Sequence, residues 1–476
     1  MRISHRASGR GVTVLLGLLL LAGAVAQAAV ARELPPNVVL ILVDDLGWSD
    51  LGVYGSAFHE TPNIDRLAAE GLRFENAYAA APVCSPTRAS LLTGKSPARL
   101  RITNFLPGSG APDGSPVVPP DGWVKALPAA EETLAERLKR AGYATGMIGK
   151  WHLGDPPPAG QGFDEDRSDG FWSFVRYWIP PILFDTYFGE YYPDALSRSA
   201  VDFIERHARQ ERPFFLLLSH NTVHVPLQAK PDKVARYEAK RERLRPGPGE
   251  QRNPVYAAMV ESMDESVGRV MSALEQRDIA DRTILIFGSD NGGLTVAEPL
   301  FTGHFRHTPA TVPAPLRAGK GYLYEGGLRV PWIVRLPGVT PAGAVSEEPV
   351  ITHDFFPTLA EIAGVPVEDP SIDGRSLAPL LRDPSVSLGR DALFFHYPHY
   401  SNQGGRPGGA IRAGRWKLIE RYENGSLELY DLESDIGEQR DLAEERPELA
   451  AELARRLGEW RARVDAQMPE PEKASR

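Results

Sequence analysis

The sequence predicts an α/β protein, with a large mixed, mostly parallel sheet sandwiched by helices and a smaller C-terminal antiparallel sheet plus helix. Three observations predict it. Four apolar runs of strand length end abruptly in polar residues: 37–43 before Asp44-Asp45, 144–148 before Gly149-Lys150-Trp151-His152, 213–218 before His220 and His224, and 283–287 before Gly288-Ser289-Asp290-Asn291. Continuous apolar runs suit strands buried on both faces of a parallel sheet. Helical patterns alternate with these runs, which places helices on both faces. After about residue 365 the pattern changes to short aromatic and β-rich pieces separated by Gly and Asn turns, the mark of antiparallel hairpins.

In chain order, Arg2, Arg6 and Arg10 precede the apolar run 14–21, and small residues follow to Ala29-Val30-Ala31. A basic segment, a short apolar core and an A-x-A pattern read as a signal peptide over 1–31. That core is shorter than the ~20 residues a bilayer span needs, and no cysteine follows it to carry a lipid. Export to the periplasm or the exterior, with no membrane anchor, is expected. Thr61-Pro62 opens a helix whose apolar positions Ile64, Leu67, Ala68 and Leu72 fit one face. Pro86 suits the first turn of a helix that continues through 89–92 and stops at Gly94, with Cys84 at its N-terminus. Residues 131–141 and 256–274 read as helices, the former closed by Gly142. Residues 392–397, 409–412, 416–419 and 427–430 read as strands, 447–464 as a charged helix and 467–476 as a frayed tail. The chain therefore divides into the signal peptide, a main domain over 32–365 and an α+β subdomain over 366–476.

Composition limits the function classes. Cys84 is the only cysteine in 476 residues, so no intramolecular disulfide supports the fold and stability must come from a large core. Removing the leader with its three arginines and no acids takes the formal charge from −9 to −12, which leaves no electrostatic case for binding nucleic acid. Nothing in the sequence speaks to oligomeric state.

The strand endings and the lone cysteine form one constellation. At a helix N-terminus, unpaired N–H groups and the helix dipole favour an anion beside Cys84, and Arg88 adds a fixed charge one turn on. Asp44, Asp45, Asp290 and Asn291 offer hard oxygen ligands from two strand ends. That set suits Ca²⁺ or Mg²⁺ better than Zn²⁺, because no Cys or His cluster has zinc spacing. Lys150, His152, His224, Arg88 and Lys320 supply a cationic, proton-transferring ring. Ligands of open α/β sheets bind beyond the carboxyl ends of strands, where these residues lie.

These motifs resemble the type I, formylglycine-dependent sulfatase family, in its arylsulfatase A and N-acetylgalactosamine-6-sulfatase branch. Cys84-Ser85-Pro86-Thr87-Arg88 followed by Thr93-Gly94 matches that family's C-x-P-x-R signature, and Gly149-Lys150-Trp151-His152-Leu153-Gly154 matches its second signature. Asp44-Asp45-Leu46-Gly47-Trp48, Gly288-Ser289-Asp290-Asn291-Gly292-Gly293 and the stretch from Lys320 to Pro331 also look like family blocks, in family order. The resemblance covers nearly the whole mature chain and implies an alkaline-phosphatase-like fold, with 32–365 as the catalytic domain. It implies that a formylglycine-generating maturation enzyme converts Cys84 to formylglycine, and that Asp44, Asp45, Asp290, Asn291 and residue 84 hold one Ca²⁺. It further implies that Asp290 acts as general base, Arg88, Lys150 and Lys320 neutralise the sulfate oxygens, His224 with Lys320 protonates the leaving oxygen, and His152 takes the proton of the second hydroxyl. His224 is assigned over His220 because it precedes Val225-Pro226, as in the family's H-x-P pattern.

The expected activity is hydrolysis of aryl or carbohydrate sulfate esters. A phosphate or phosphonate monoester hydrolase is the alternative within the same superfamily, and a silent sulfate-binding protein would result if Cys84 stayed a thiol. Residues 101–123, 155–194 and 295–316 are expected to shape the pocket, with Trp172, Tyr177, Trp178, His304 and His307 either stacking on a sugar or aryl ring or packing the loops that carry them. Asn424-Gly425-Ser426 fits a glycosylation sequon.

Overall fold

The computed structural model describes residues 34–168, 190–210, 212–247, 249–296 and 309–472. The expected leader lies outside the described residues, as do Trp172, Tyr177, Trp178, His304 and His307. Residues from Pro36 onward form one compact unit. Among the described residues no helix is long and apolar enough to cross a membrane.

The four apolar runs are the centre of an eight-stranded sheet. Its strands are β1 (Asn37–Val43), β2 (Leu72–Phe74), β3 (Ala144–Gly149), β4 (Glu165–Ser168), β5 (Phe214–Ser219), β6 (Thr283–Ser289), β7 (Trp332–Arg335) and β8 (Ala344–Ser346), in the spatial order β8-β2-β7-β6-β1-β5-β3-β4. β1 pairs in parallel with β5 and β6, and β3 with β4 and β5. β7 alone runs against its neighbours, which makes the sheet mixed but mostly parallel.

Every residue of β1 is buried, and its side chains divide between two cores. Val39, Ile41 and Val43 face helices α1 (Pro62–Glu70), α4 (Tyr192–His207) and α5 (Pro254–Gln276); Val38, Leu40 and Leu42 face α2 (Cys84–Thr93) and α3 (Leu134–Arg140). Strand alternation thus feeds a helical layer on each side. α2 is buried at all ten positions, so it is not a surface helix but a core element with its ends fixed by packing. Gly94 stops it in the left-handed region at φ 71°, as its sequence position predicts.

Four strands near the C-terminus, β9 (Leu393–Tyr397), β10 (Gly408–Ala413), β11 (Trp416–Arg421) and β12 (Leu427–Asp431), form an antiparallel sheet in that order. Leu453, Leu457 and Trp460 of the last helix, α6 (Pro447–Arg463), pack on Ile411, Leu418 and Leu429. Residues 377–381 instead join the core of the large sheet.

Three local readings differ from the structure. Leu72 is not on the α1 face: Gly71 ends the helix and Leu72 begins β2, buried by pairing with Val334 and Ala344. The helix expected from 131 begins at Leu134, because Thr133 caps it and Glu136 completes a reciprocal capping box. The tail is held rather than frayed up to Glu472: Glu470–Pro471 pairs with Val117–Val118, and the Gln467 carbonyl accepts from His396 Nε2 at 2.9 Å.

The small sheet fixes the loop that carries Lys320. Lys417 on β11, with no exposed side-chain surface, pairs with Glu325 at 2.9 Å and with Glu438 at 2.8 Å. Glu438 also accepts the Glu325 N–H at 2.7 Å, and its carbonyl accepts from Arg317 Nη1 at 2.9 Å. Both flanks of Lys320 are therefore tied to the C-terminal part of the chain. Burial opposes the Glu325 charge, yet Lys417 and Arg329 hold its carboxyl down to about 2. Removing one member of a buried ionic cluster leaves unpaired charge, which costs about 3–5 kcal/mol. Lys417→Met is expected to lower folding free energy by that amount in denaturant titration, and a loss under about 1 kcal/mol would contradict the clamp.

His396 and His399 predict the acid side of the stability profile. His396 donates from Nε2 to Gln467 and accepts from Tyr422 Oη at 2.7 Å through Nδ1, a pairing available only to the neutral ring. Burial pushes His396 down to about 4 and His399 down to about 3. Both pKa values are depressed on folding, so the unfolded chain binds more protons between the ordinary histidine value and the folded one. Stability should be complete above about pH 6.5 and fall below it, by about 1.4 kcal/mol per pH unit for each histidine. Denaturation midpoints measured from pH 7 to pH 4.5 should show a shallower slope in His399→Gln, and an unchanged slope would refute the assignment.

Candidate active site

The carboxyl ends of β1, β3, β5 and β6 converge with the N-terminus of α2. β1 delivers Asp44 and Asp45, and β6 delivers Asp290 and Asn291. All four are buried. β3 turns sharply into Lys150 through Gly149, whose φ is +96° and where a Cβ would lie 2.1 Å from the Ser219 carbonyl oxygen. Only glycine fits that turn. Asp45 and His152 sit in the left-handed region at φ 60° and 57°, conformations that side-chain-bearing residues hold only where the surroundings impose them.

Each carboxylate has its own cation. Lys150 Nζ lies 2.5 Å from Asp44 Oδ2, Lys320 Nζ 2.8 Å from Asp45, and Arg88 meets Asp290 Oδ2 through Nε at 2.8 Å and Nη2 at 2.7 Å. Arg88 Nη1 also donates to the Lys150 carbonyl at 3.0 Å and to Ser219 Oγ at 2.5 Å. Asn291 Nδ2 donates to Asp45 Oδ1 at 2.7 Å, and His224 Nε2 is 3.6 Å from Asp45 Oδ2. His152 Nε2 donates to the Leu106 carbonyl at 2.6 Å, and its ring feels the charges of Lys150, Arg88 and Asp44. The fold thus gathers all ten residues singled out in the sequence.

The donor set fits a hard dication. Ligand atoms of Asp44, Asp45 and Cys84 lie within 4.8 Å of one another, and the buried Asp44 Oδ1 and Asn291 Oδ1 have no hydrogen-bond partner among the described residues. Oxygen donors at this density suit Ca²⁺ or Mg²⁺. Charge points the same way. Three carboxylates face three fixed cations, so the protein's own groups balance and an anionic substrate needs further positive charge.

Burial and opposite charges pull the titrating groups apart. Burial works against the Asp44 carboxylate, but Lys150, His224, Arg88 and Lys320 together hold it well below the ordinary range. Burial and then Asp44 push Asp290 up, against Arg88 and Lys150. Burial pushes the Cys84 thiol up to about 12, against the pull of Lys150 and Lys320, so as a cysteine residue 84 is protonated and a poor nucleophile. Burial and Lys320 bring His224 down to about 4, and burial and Lys150 bring His152 well below its ordinary value.

His220 lies elsewhere. It is fully buried with Nε2 3.0 Å from Ser266 Oγ on α5, a packing position behind the strand end. Two serines belong to the site although the sequence reading passed over them. Ser219 accepts from Arg88 and donates to the Lys150 carbonyl at 2.7 Å; Ser289 Oγ accepts the Leu46 N–H at 3.1 Å and donates to the Asn291 carbonyl at 2.9 Å. Both close a strand immediately before a residue that was recognised, and that position was the available signal.

Residues 36–365 match the family model described as Sulfatase, and residues 318–463 match the one described as N-sulphoglucosamine sulphohydrolase, C-terminal. The chain belongs to the sulfatase family. The N-acetylgalactosamine-6-sulfatase of Canis lupus familiaris is 35% identical over 80% of this chain and 72% of its own length. Arylsulfatase A of Homo sapiens is 34% identical over 89% of this chain and 86% of its own. Among solved structures, Ps i-CgsB in complex with k-i-k-neocarrahexaose superposes with a TM-score of 0.74 at 30% identity, covering 90% of this chain and 93% of that one. This sulfatase is accordingly a sulfuric ester hydrolase, with the alkaline-phosphatase-like fold expected from its sequence.

The positions of the two histidines give a direct test. His224→Gln is expected to lower kcat on an aryl sulfate by about 10²–10⁴-fold, the usual worth of a general acid. His220→Gln should leave kcat within about threefold while lowering the melting temperature, since it removes a buried hydrogen bond and no reacting group. The reverse ranking in steady-state assays would overturn the assignment.

Proposed function

We propose that this sulfatase is exported by residues 1–31, that it acts on sulfated saccharides through formylglycine at position 84 and one bound Ca²⁺, and that a maturation enzyme installs the aldehyde. The observation that carries the reading is the environment of Cys84: the first residue of a fully buried helix, among three carboxylate–cation pairs, with its thiol pinned in the protonated state by burial. Such a residue has little use as a thiol and much as a carbon carrying two hydroxyl groups. The relatives named above support a saccharide substrate, one named for N-acetylgalactosamine 6-sulfate and one structure solved with a neocarrahexaose.

The chain's residues divide the work. Asp44, Asp45, Asp290, Asn291 and residue 84 would hold Ca²⁺, which supplies the positive charge that offsets the sulfate oxygens and eases ionisation of the attacking hydroxyl. Asp290, pushed up by burial and by Asp44, takes a proton from one hydroxyl of the hydrated aldehyde, whose oxygen attacks sulfur. Arg88, Lys150 and Lys320 orient the sulfate oxygens and stabilise the charge that builds on them. His224, neutral in the free site, gains its proton as the anionic ester arrives beside it and passes it to the departing alcohol oxygen. His152 is held neutral by burial and accepts the proton of the second hydroxyl. Its C=O bond then re-forms, the bond from carbon to the sulfated oxygen breaks, and sulfate leaves; water adds to the aldehyde to restore the diol. A serine at position 84 offers one hydroxyl and stops after the first half.

Mass spectrometry of the peptide spanning Cys84, from protein made in its native host, is expected to show aldehyde or its hydrate in place of thiol. Cys84→Ser is expected to lose at least about 10³-fold in turnover and to accumulate a sulfate ester on residue 84. Fully active protein with an unmodified thiol would refute the proposal. Faster hydrolysis of 4-nitrophenyl phosphate than of 4-nitrophenyl sulfate would assign the site to phosphate esters instead.

A further inference from the structure

A second concentration of positive charge lies away from the catalytic residues. A cleft of about 380 Å³ between the large sheet's flank and the C-terminal helix is lined by Arg99, Arg375, Arg390 and Arg463, over an apolar floor that includes Phe394 and Trp460. In a chain of net charge −9, four arginines on one concavity are a local reversal.

Two of these arginines serve the fold. Arg99 binds Asp373 through Nε at 3.0 Å and Nη2 at 2.8 Å, and Asp373 also accepts the Ser96 N–H at 2.7 Å. Arg390 binds Asp354 at 2.5 Å, and Asp354 accepts the N–H groups of Arg375 at 2.8 Å and Ile351 at 2.9 Å. Each of these carboxylates thus accepts three hydrogen bonds and pairs with one of the two arginines. The other two are different: among the described residues the Arg375 side chain donates only to the Leu388 carbonyl at 2.9 Å, and Arg463 forms no ion pair. Both are exposed, and they reach the cleft from separate elements, a loop and the last residue of α6. In the same cleft the Phe394 ring is half-buried and stacks on the buried Trp460 with centroids 5.1 Å apart and planes 6° apart.

The cleft is separate from the catalytic centre. Its buried His353 lies 3.3 Å from Ser90 Oγ, in the C-terminal half of α2, whereas Cys84 opens that helix; the six residues from Cys84 to Ser90 rise about 9 Å along its axis. Two planar guanidinium forks without carboxylate partners suit the oxygens of a sulfate group, and a rigid aromatic edge beside them suits the apolar face of a sugar ring.

We propose that this cleft is a non-catalytic binding site for a sulfated saccharide unit, with Arg375 and Arg463 on the sulfate and Phe394 under the ring. The site would hold a polymeric substrate while another of its sulfates is cleaved. The proposal rests on the reading that the substrate is a sulfated saccharide, whereas a free sulfate or phosphate ion would share only the guanidinium chemistry.

The test uses the full-length enzyme and its Arg375→Ser/Arg463→Ser variant, with a sulfated carrageenan hexasaccharide, its desulfated form and inorganic sulfate as separate probes in calorimetry. One binding event for the sulfated hexasaccharide is expected to vanish or weaken by at least about 10-fold in the variant, from two charge-assisted contacts. The melting temperature and the kcat and KM for 4-nitrophenyl sulfate should be unchanged. An identical isotherm in both proteins would overturn the proposal, as would equal binding of the desulfated form or of inorganic sulfate at this cleft. A matching rise in KM for 4-nitrophenyl sulfate would overturn it too, by placing the arginines in service of the catalytic fold. Failure of the wild-type enzyme to hydrolyse any sulfate ester would instead count against the function proposed above, and would leave the binding comparison readable.

Discussion

Three carboxylates buried at the carboxyl ends of β1 and β6 set the terms for the structure around them. Each would cost several kcal/mol to remove from water without compensation, so Asp44, Asp45 and Asp290 can be where they are only if cations arrive with them. Those cations come from three distant stretches: Arg88 from α2, Lys150 from the end of β3, and Lys320 from a loop closed by the C-terminal part of the chain. The large sheet places Lys150 directly, and α2, buried against that sheet, places Arg88. The third depends on Lys417, Glu325, Glu438 and Arg329, a second buried ionic cluster in which two cations meet two carboxylates. Fold and site are in this sense one electrostatic problem solved twice.

The balance of charge also explains the chemistry the centre is suited to. Salt-bridged pairs alone would make an inert core, since each cation is already spoken for. Adding a dication to the Asp44 Oδ1 and Asn291 Oδ1 side would draw on the carboxylates and release part of the field of Arg88, Lys150 and Lys320 toward an incoming anion. Backbone strain marks the same spot. Asp45 and His152 occupy left-handed conformations that cost of order 1–3 kcal/mol each, a cost offset where the Asp45 side chain meets Lys320, Asn291 and His224 at once.

The parts of this arrangement that the sequence reveals are those encoded within a few residues. Uninterrupted apolar runs announce strands buried on both faces, and their abrupt polar endings announce the site, because the carboxyl edge of a parallel sheet is the one place where buried strands meet ligand. Gly94 and Pro86 likewise mark α2 locally. What the sequence hides depends on partners hundreds of residues away. Leu72 continues the apolar face of α1 by spacing, and only pairing with Val334 assigns it to a strand. The tail near Glu470 looks like polar fraying until Val117 and Val118 supply its ladder. Lys417 and Glu438 read as ordinary surface charges on a hairpin and a loop, and nothing nearby in the chain shows that each is buried against Glu325.

That last case bears on how the C-terminal part should be regarded. The family matches overlap between residues 318 and 365, the stretch that carries Lys320, Glu325 and β7. A boundary drawn by sequence pattern at about 365 leaves Lys320 on one side and the residues that hold its loop on the other. Physically the two cannot be parted: Arg317 and Glu325, which flank Lys320, are both bound by Glu438, and without Lys417 the Glu325 carboxylate would lose the foremost of the cations that justify its burial. The small antiparallel sheet is therefore better understood as the wall that keeps one of three catalytic-site cations in place than as an appended module. Its outer side, where α6 ends at Arg463, is then free to take on contacts of its own without disturbing the centre.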